Sequence, residues 1–153
     1  MCGGQGPPSP LDPWRAQNTT APRTLYSTEL HLLAHVLAMA HEGDPAFVCE
    51  AFEDFDKDVL GSFIWIGWKV VGGIKAEVLS AALCSAPARG GILEIGTYCG
   101  YSAIQMAKAC PGVGIITLEL DPAHIVVARH MFAIAGLAHV INVWTGHSED
   151  LLH

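Results

Sequence analysis

The sequence predicts an α/β fold in which a parallel sheet is flanked by helices. Three observations carry that expectation. From Gly91 onward, short segments rich in β-branched residues alternate with helical ones, in the order strand, helix, strand, helix, strand. Such alternation implies parallel strands joined by crossover helices. The first strand, GILEI, is a short, mostly apolar run without regular alternation, the pattern of a strand covered on both faces. A glycine turn, LEIGTYCGYS at 93–102, follows that strand directly. Open α/β sheets bind their ligands at such strand ends.

With 153 residues the chain suffices for one domain. Hydrophobic residues at 51% against 15% charged favour a packed core. The net charge of -7 argues against a nucleic-acid surface, which needs clustered Lys and Arg. Cys2, Cys49, Cys84, Cys99 and Cys110 are odd in number, far apart and without a CxxC pair. A disulfide framework or zinc site is therefore not expected, and reduced thiols in a cytoplasmic setting fit better. No signal peptide is visible, and the longest apolar stretch, Val59–Trp68, is too short to span a bilayer. No membrane partner is expected.

Residues 1–25 are rich in Pro, Gly, Ser and Thr and read as a disordered tail, with one domain over 26–153. Ser27 is placed as the cap of a helix running to about Glu42, with Leu30, Leu33, Ala34 and Leu37 on its apolar face. Gly43-Asp44-Pro45 ends it and starts the next, Asp44 as cap and Pro45 at the first helical position. That second helix is expected to bury Val48, Ala51, Phe52 and Phe55, leaving Glu50, Glu53, Asp54 and Asp56 on or around a solvated face. A connector with Gly67, Gly72 and Gly73 leads to a helix over 74–85 with Ile74, Val78, Leu79 and Ala82 inward, ended by Pro87 and Gly90-Gly91. The strand GILEI, a helix over 101–109, a strand over 113–120, a helix over 122–135 started by Asp121 and a third strand over 140–145 complete the order.

The turn carries the chemistry. Gly96 lets the backbone turn tightly and lets a ligand approach, because it has no Cβ. Backbone N–H groups at the following helix start suit a carboxylate or another anionic group, and Ser102 adds a hydroxyl. Glu119 ends the second strand, where an acid can accept hydrogen bonds from both ribose hydroxyls. That pairing serves nicotinamide dinucleotides and adenosylmethionine alike. A dinucleotide site wants G-x-G-x-x-G so that backbone touches the pyrophosphate; here Tyr98 stands where the second glycine belongs. Glu94 would repel a pyrophosphate but suits a cationic amine or sulfonium.

E-x-G-x-Y-C-G-Y-S, ELDP, FAIAGL and GHSEDLL occur in an order and spacing that resemble the cofactor region of catechol O-methyltransferase, and the likeness runs back through GDPAFVCEAFEDF and VVGGIKAEVL. It covers roughly 27–152. The resemblance implies a Rossmann-like class I methyltransferase fold, truncated after the third strand, and transfer of a methyl group from S-adenosyl-L-methionine to a small catechol-type substrate. It implies that Val71 touches the cofactor, that Glu94, Gly96, Tyr98, Tyr101 and Ser102 surround its methionine part, and that Glu119 binds the ribose. Leu120 would lie against the adenine, with Ser148 and Glu149 at its edge and rim, although the family has Gln where Glu149 stands. Lys69 falls where the family places an apolar residue, Trp68 is placed as an aromatic wall of the acceptor pocket or as a core residue, and His147 reads as a turn residue rather than a base.

The resemblance also implies Mg²⁺ in the complete family enzyme. Its ligands and the catalytic Lys fall after the equivalent of His153, so neither metal ligands nor catalytic residues are expected in this chain. The expectation is then of a partial sequence. Alternatively, the chain would be a non-catalytic cofactor-binding or interaction module. GILEI would lack its neighbour on one side, and an open apolar edge invites self-association.

Overall fold

A computed structural model describes residues 25–60, 74–86 and 90–152. The expected tail up to Arg23, the connector at 61–73 with Val71, Trp68 and Lys69, and the helix-ending Pro87 lie outside the described residues.

Helix α1 (Ser27–Met39) starts not from a Ser27 cap but from Tyr26, in the left-handed region at φ 62° with no side-chain cap bond. It ends at Met39, short of Glu42, and its buried face is not the expected one. Leu32, His35 and Val36 are buried while Leu30 and Leu37 are exposed. The rotation is set by polar contacts at its start: Tyr26 donates to Asp121 and Glu29 accepts from Tyr98. These outrank two leucines in deciding which side faces inward.

Helix α2 (Pro45–Leu60) follows its sequence signature. Asp44 Oδ1 accepts from the Ala46 and Phe47 amides at 2.8 and 3.3 Å, satisfying N–H groups that have no helical partner. Val48, Ala51, Phe52 and Phe55 are all buried. Of the acidic run, Glu50 is exposed and Asp54 pairs with Lys57 at 3.5 Å, whereas Glu53 turns inward to accept from Tyr101 Oη.

Helix α3 (Ile74–Ser85) departs from expectation: no residue of it is buried, and Ile74, Val78 and Ala82 point outward. Its half-buried stripe is Ala76, Leu79, Ser80 and Leu83, at the expected spacing but turned about the axis. Among the described residues the helix leans chiefly on α4 (Tyr101–Ala109), and only a narrow stripe finds cover.

The sheet consists of β1 (Ile92–Ile95), β2 (Ile115–Glu119) and β3 (Ile141–Thr145), all parallel, in the order β1-β2-β3. Helix α5 (Pro122–Ile134) connects β2 to β3, and a single turn, α6 (Ser148–Leu151), follows β3. Ile92, Ile115 and Ile141 stand in register, as do Glu94, Thr117 and Val143. Because side chains alternate across a strand, these two rows share the face against which α4 and α5 pack. Helices α1 and α2 pack in turn on α5 and α4, and the core lies between, built on Phe52, Phe55, Tyr101, Ile104, Met131 and Phe132.

The opposite face carries Leu93, Ile116 and Asn142 in one row and Ile95, Leu118 and Trp144 in the next. Leu93, Ile95 and Trp144 are exposed, and a concavity of about 550 Å³ lies over this face, bordered also by Leu152. Leu118 in the middle strand is buried nonetheless, so the open part of this face lies at Leu93, Ile95 and Trp144 on the strands either side of it.

Candidate functional site

The turn after β1 is fastened to β2. The Gly96 and Thr97 amides both donate to the Leu118 carbonyl, at 2.9 and 3.1 Å, and the Gly100 amide donates to Thr97 O. Its two glycines serve different ends. Gly96 has φ 92°, and a Cβ there would meet nothing within 4 Å, so the backbone is open to an approaching ligand. Gly100 has φ 90°, but a Cβ there would sit 2.5 Å from Phe132 Cε1; this glycine lets the start of α4 pack on α5. Between them Tyr98 takes the left-handed region at φ 50°, uncommon for a bulky residue.

That strained geometry aims the Tyr98 amide at the Glu119 carboxylate. Glu119 Oε2 accepts from Tyr98 N at 2.8 Å, and Oε1 accepts from the Leu120 and Asp121 amides, both at 2.9 Å. A carboxylate offers about four lone-pair directions, and one of them, on Oε2, is left. Holding two hydroxyls of a ribose therefore requires Glu119 to swing off at least one amide of its own chain.

Glu94 lies on the helix side of β1, directly across from Thr117. It accepts from Ser102 Oγ of α4 and from Thr117 Oγ1, the latter at 2.6 Å. Burial pushes its carboxyl above the usual carboxylate range; the two hydroxyls oppose this, and the charge of Glu119 adds to it. Thr117 is joined in turn to Thr97 Oγ1 at 2.7 Å, and both threonines are buried.

Helix α1 closes the outer side. Tyr98 Oη donates to Glu29 Oε1 at 2.8 Å, and the Tyr98 ring meets His124 edge-on at 4.8 Å. The His124 nitrogens stand 3.8 Å from Glu29 and 3.8 Å from Glu119. Tyr26 donates to Asp121 Oδ2 at 2.8 Å, and Asp121 also caps α5 by accepting from the Ala123 amide. Burial, joined by the neighbouring Cys99 and Glu29, holds the Tyr98 phenol above its usual range. None of Glu29, His124, Thr97 or Thr117 is singled out by the sequence, because each acts through a partner far along the chain.

At the strand ends a cleft of about 190 Å³ is lined by Ile95, Gly96, Glu119, Leu120, His147 and Ser148 among others. It brings together Gly96, Glu119, Leu120 and Ser148 of the expected set, and adds His147. Glu94, Ser102 and Tyr98 lie beside the turn but do not line the cleft, and Glu149 is exposed in the first turn of α6. The Tyr101 side chain is placed otherwise than expected: it is 2% exposed, its ring 5.4 Å from Phe52, its hydroxyl 2.5 Å from Glu53. Its aromatic area is worth more in the core than at a rim, and the structure places the side chain there rather than at the cleft.

The arrangement offers a carboxylate pair and a glycine-opened backbone at one end of a parallel sheet. That chemistry suits a ligand carrying a diol and a positive charge. Among the described residues no group of three or more His, Cys, Asp or Glu is placed to hold a metal, so these residues do not fit an Mg²⁺ site. No helix among them is long and apolar enough to cross a membrane.

Comparison with known proteins agrees with the site. A family model described as O-methyltransferase matches residues 74–153, just over half of the chain. The chain is 32% identical over 127 residues to catechol O-methyltransferase of Mus musculus, covering 81% of this chain and 44% of that protein. It is 35% identical over 122 residues to catechol O-methyltransferase B of Danio rerio, covering 78% and 43%. The transmembrane O-methyltransferase of Homo sapiens is 30% identical over 128 residues, covering 81% and 41%. The chain thus spans less than half the length of the curated relatives it matches. Among solved structures, the O-methyltransferase TomG from Streptomyces achromogenes, in complex with SAM, superposes with a TM-score of 0.52 at 27% identity, over 82% of this chain and 52% of that one. A Bacillus cereus O-methyltransferase in complex with SAH shares the fold, with a TM-score of 0.50 at 24% identity, over 91% and 51%. With the glycine turn, the acid ending β2 and a truncated Rossmann-like sheet in place, the chain belongs to the O-methyltransferase family and is similar within it to the catechol O-methyltransferases.

Proposed function

We propose that residues 26–153 form the cofactor-holding part of an enzyme that transfers a methyl group from S-adenosyl-L-methionine to a hydroxyl of a catechol-type small molecule. One observation carries the reading: Glu119 ends β2 at the cleft while Glu94 sits beside the same glycine turn. When bound, S-adenosyl-L-methionine supplies an electrophilic methyl group on a sulfonium. The residues of this chain bind and orient. Glu119 accepts the ribose hydroxyls, Gly96 lets the backbone pass close, and Glu94 with Ser102 and the Tyr98 turn receives the methionine amine. Leu120 and Ser148 meet the base, with Glu149 at its rim and Val71 as a further contact. The acidic surroundings of the turn attract a cation. The wide spacing of the cysteines, with no CxxC pair, goes with a cytoplasmic setting.

A melt of the chain with ligand tests this. S-adenosylhomocysteine at a hundred times its dissociation constant should stabilise the fold by about 2.7 kcal/mol, and NAD should not. Glu119→Gln should weaken S-adenosylhomocysteine binding about 10- to 100-fold by titration calorimetry, the worth of a charged hydrogen bond. Protection by NAD alone would return the site to the dinucleotide class.

The second reading is a non-catalytic cofactor-binding module. It is favoured by the lack, among the described residues, of a carboxylate cluster able to hold Mg²⁺. Transfer of a labelled methyl group to a simple catechol with Mg²⁺ present, by the chain joined to the C-terminal part of a catechol O-methyltransferase, separates the two, since only the enzyme reading gives product.

A further inference from the structure

The Thr97–Thr117–Glu94 chain has a direction that the distances alone do not state. Thr117 has one hydroxyl proton, and Glu94 Oε2 at 2.6 Å is acceptor-only when ionised. That proton therefore goes to Glu94, and Thr97 must be the donor in the 2.7 Å contact between the threonines. The two threonines are 2% and 0% exposed, so no water substitutes readily for either hydroxyl. Thr117 is fixed to face Glu94 by the parallel register, and Thr97 is fixed by the amide bond from Thr97 to Leu118 O.

We propose that Thr117 and Thr97 are positioning residues: a two-hydroxyl chain that orients the Glu94 carboxylate and keeps it charged for a cationic amine. This deepens the cofactor reading and rests on it for the identity of the amine. The groups that face Glu94 are Ser102 of α4, which donates to it, Thr117 and Glu119 of β2, and Thr97 behind Thr117. Burial and Glu119 favour a proton on Glu94, and the hydroxyls oppose it. A hydroxyl aimed at a carboxylate stabilises the charged form, and a donor behind it strengthens that bond.

The test uses the whole chain in two measurements. Carbon-detected NMR titration of the Glu94 carboxyl in ligand-free protein reads the chain of hydroxyls directly. Thr117→Val should move the midpoint up by about 0.5–1 pH unit, Thr97→Val should move it the same way by less, and Thr117→Ser should restore it. Calorimetric titration with S-adenosylhomocysteine between about pH 5 and 7.5, below the amine's own titration, should show affinity lost on the acid side at a correspondingly higher pH in Thr117→Val. Should Thr117→Val fail to fold, Thr97→Val and Thr117→Ser carry the comparison. An unmoved Glu94 midpoint in Thr117→Val, or in Thr97→Val where Thr117→Val does not fold, overturns the proposal, as does an affinity loss equal at every pH, which is the mark of a structural role. A moved midpoint with no S-adenosylhomocysteine binding by wild-type protein upholds the hydroxyl chain but sinks the cofactor reading and the amine with it.

Discussion

Gly96 and Gly100 share a positive φ and separate two kinds of constraint. Gly100→Ala meets both the left-handed strain and the Phe132 ring at 2.5 Å, so it should cost roughly 2–4 kcal/mol, strain and overpacking together. Gly96→Ala meets strain without a clash, about 1–2 kcal/mol, and places a methyl where the ligand passes. Thermal melts should therefore rank Gly100→Ala as the less stable. S-adenosylhomocysteine titration should rank Gly96→Ala as the weaker binder relative to its stability. Equal melting temperatures would mean that the Phe132 ring gives way, and the packing argument at α4 would fall. At this scale the sequence showed which residues are glycine and acidic, and placed Gly96, Glu119, Leu120 and Ser148 at one cleft. It did not show Thr97 and Thr117, because a hydroxyl pair twenty residues apart has no local signature. Tyr101 was legible as part of the motif but not as a core residue, since the partner that decides its direction, Glu53, lies on α2.

Helices were legible where their own sequence decides their environment. Asp44-Pro45 fixes the start of α2, and the four expected core residues, Val48, Ala51, Phe52 and Phe55, follow at helical spacing with Cys49 buried beside them. Helices α1 and α3 keep Leu33 and Leu79 inward as expected but are turned so that Leu30, Ala34, Leu37, Ile74, Val78 and Ala82 face out, because their neighbours set the rotation. For α1 the decisive contact is Tyr26 to Asp121, which ties it to the cap of α5. That contact has a pH signature. The Tyr26 hydroxyl, ahead of the capped Ala123 amide and His124, holds the Asp121 carboxyl below its usual range. A depressed folded value means stability that is present above the unfolded value and lost as pH falls through the folded one. Tyr26→Phe lets the Asp121 value return toward its usual range, so the variant should be less stable than wild type at neutral pH, with the gap closing as pH falls through the Asp121 titration. Urea denaturation followed from neutral pH down to about pH 3 reads this. Equal stabilities at neutral pH would show that the bond contributes nothing to docking α1, and a gap that persists unchanged into acid would show that it does not act through Asp121.

The whole molecule shows a mismatch between what its strands expect and what they receive. β1 and β2 are apolar on both faces, the composition of strands buried on both sides, yet helices cover one face among the described residues. Leu93 and Ile95 sit at the edge strand and on the open face at once, the combination most prone to association. The proposed partner is a second copy of the chain, pairing through β1, because an identical edge offers the same register of apolar residues to its mate. Sedimentation velocity over a concentration series should then show a dimer or larger species whose fraction rises with concentration. Leu93→Lys places a charge on that edge, about 50% exposed already, so it should cost the fold little and shift the distribution toward monomer by severalfold. A wild-type chain that stays monomeric at high concentration, with the same cooperative melt as Leu93→Lys, would mean that three strands with one covered face stand alone. The open face would then be tolerated surface, not an interface.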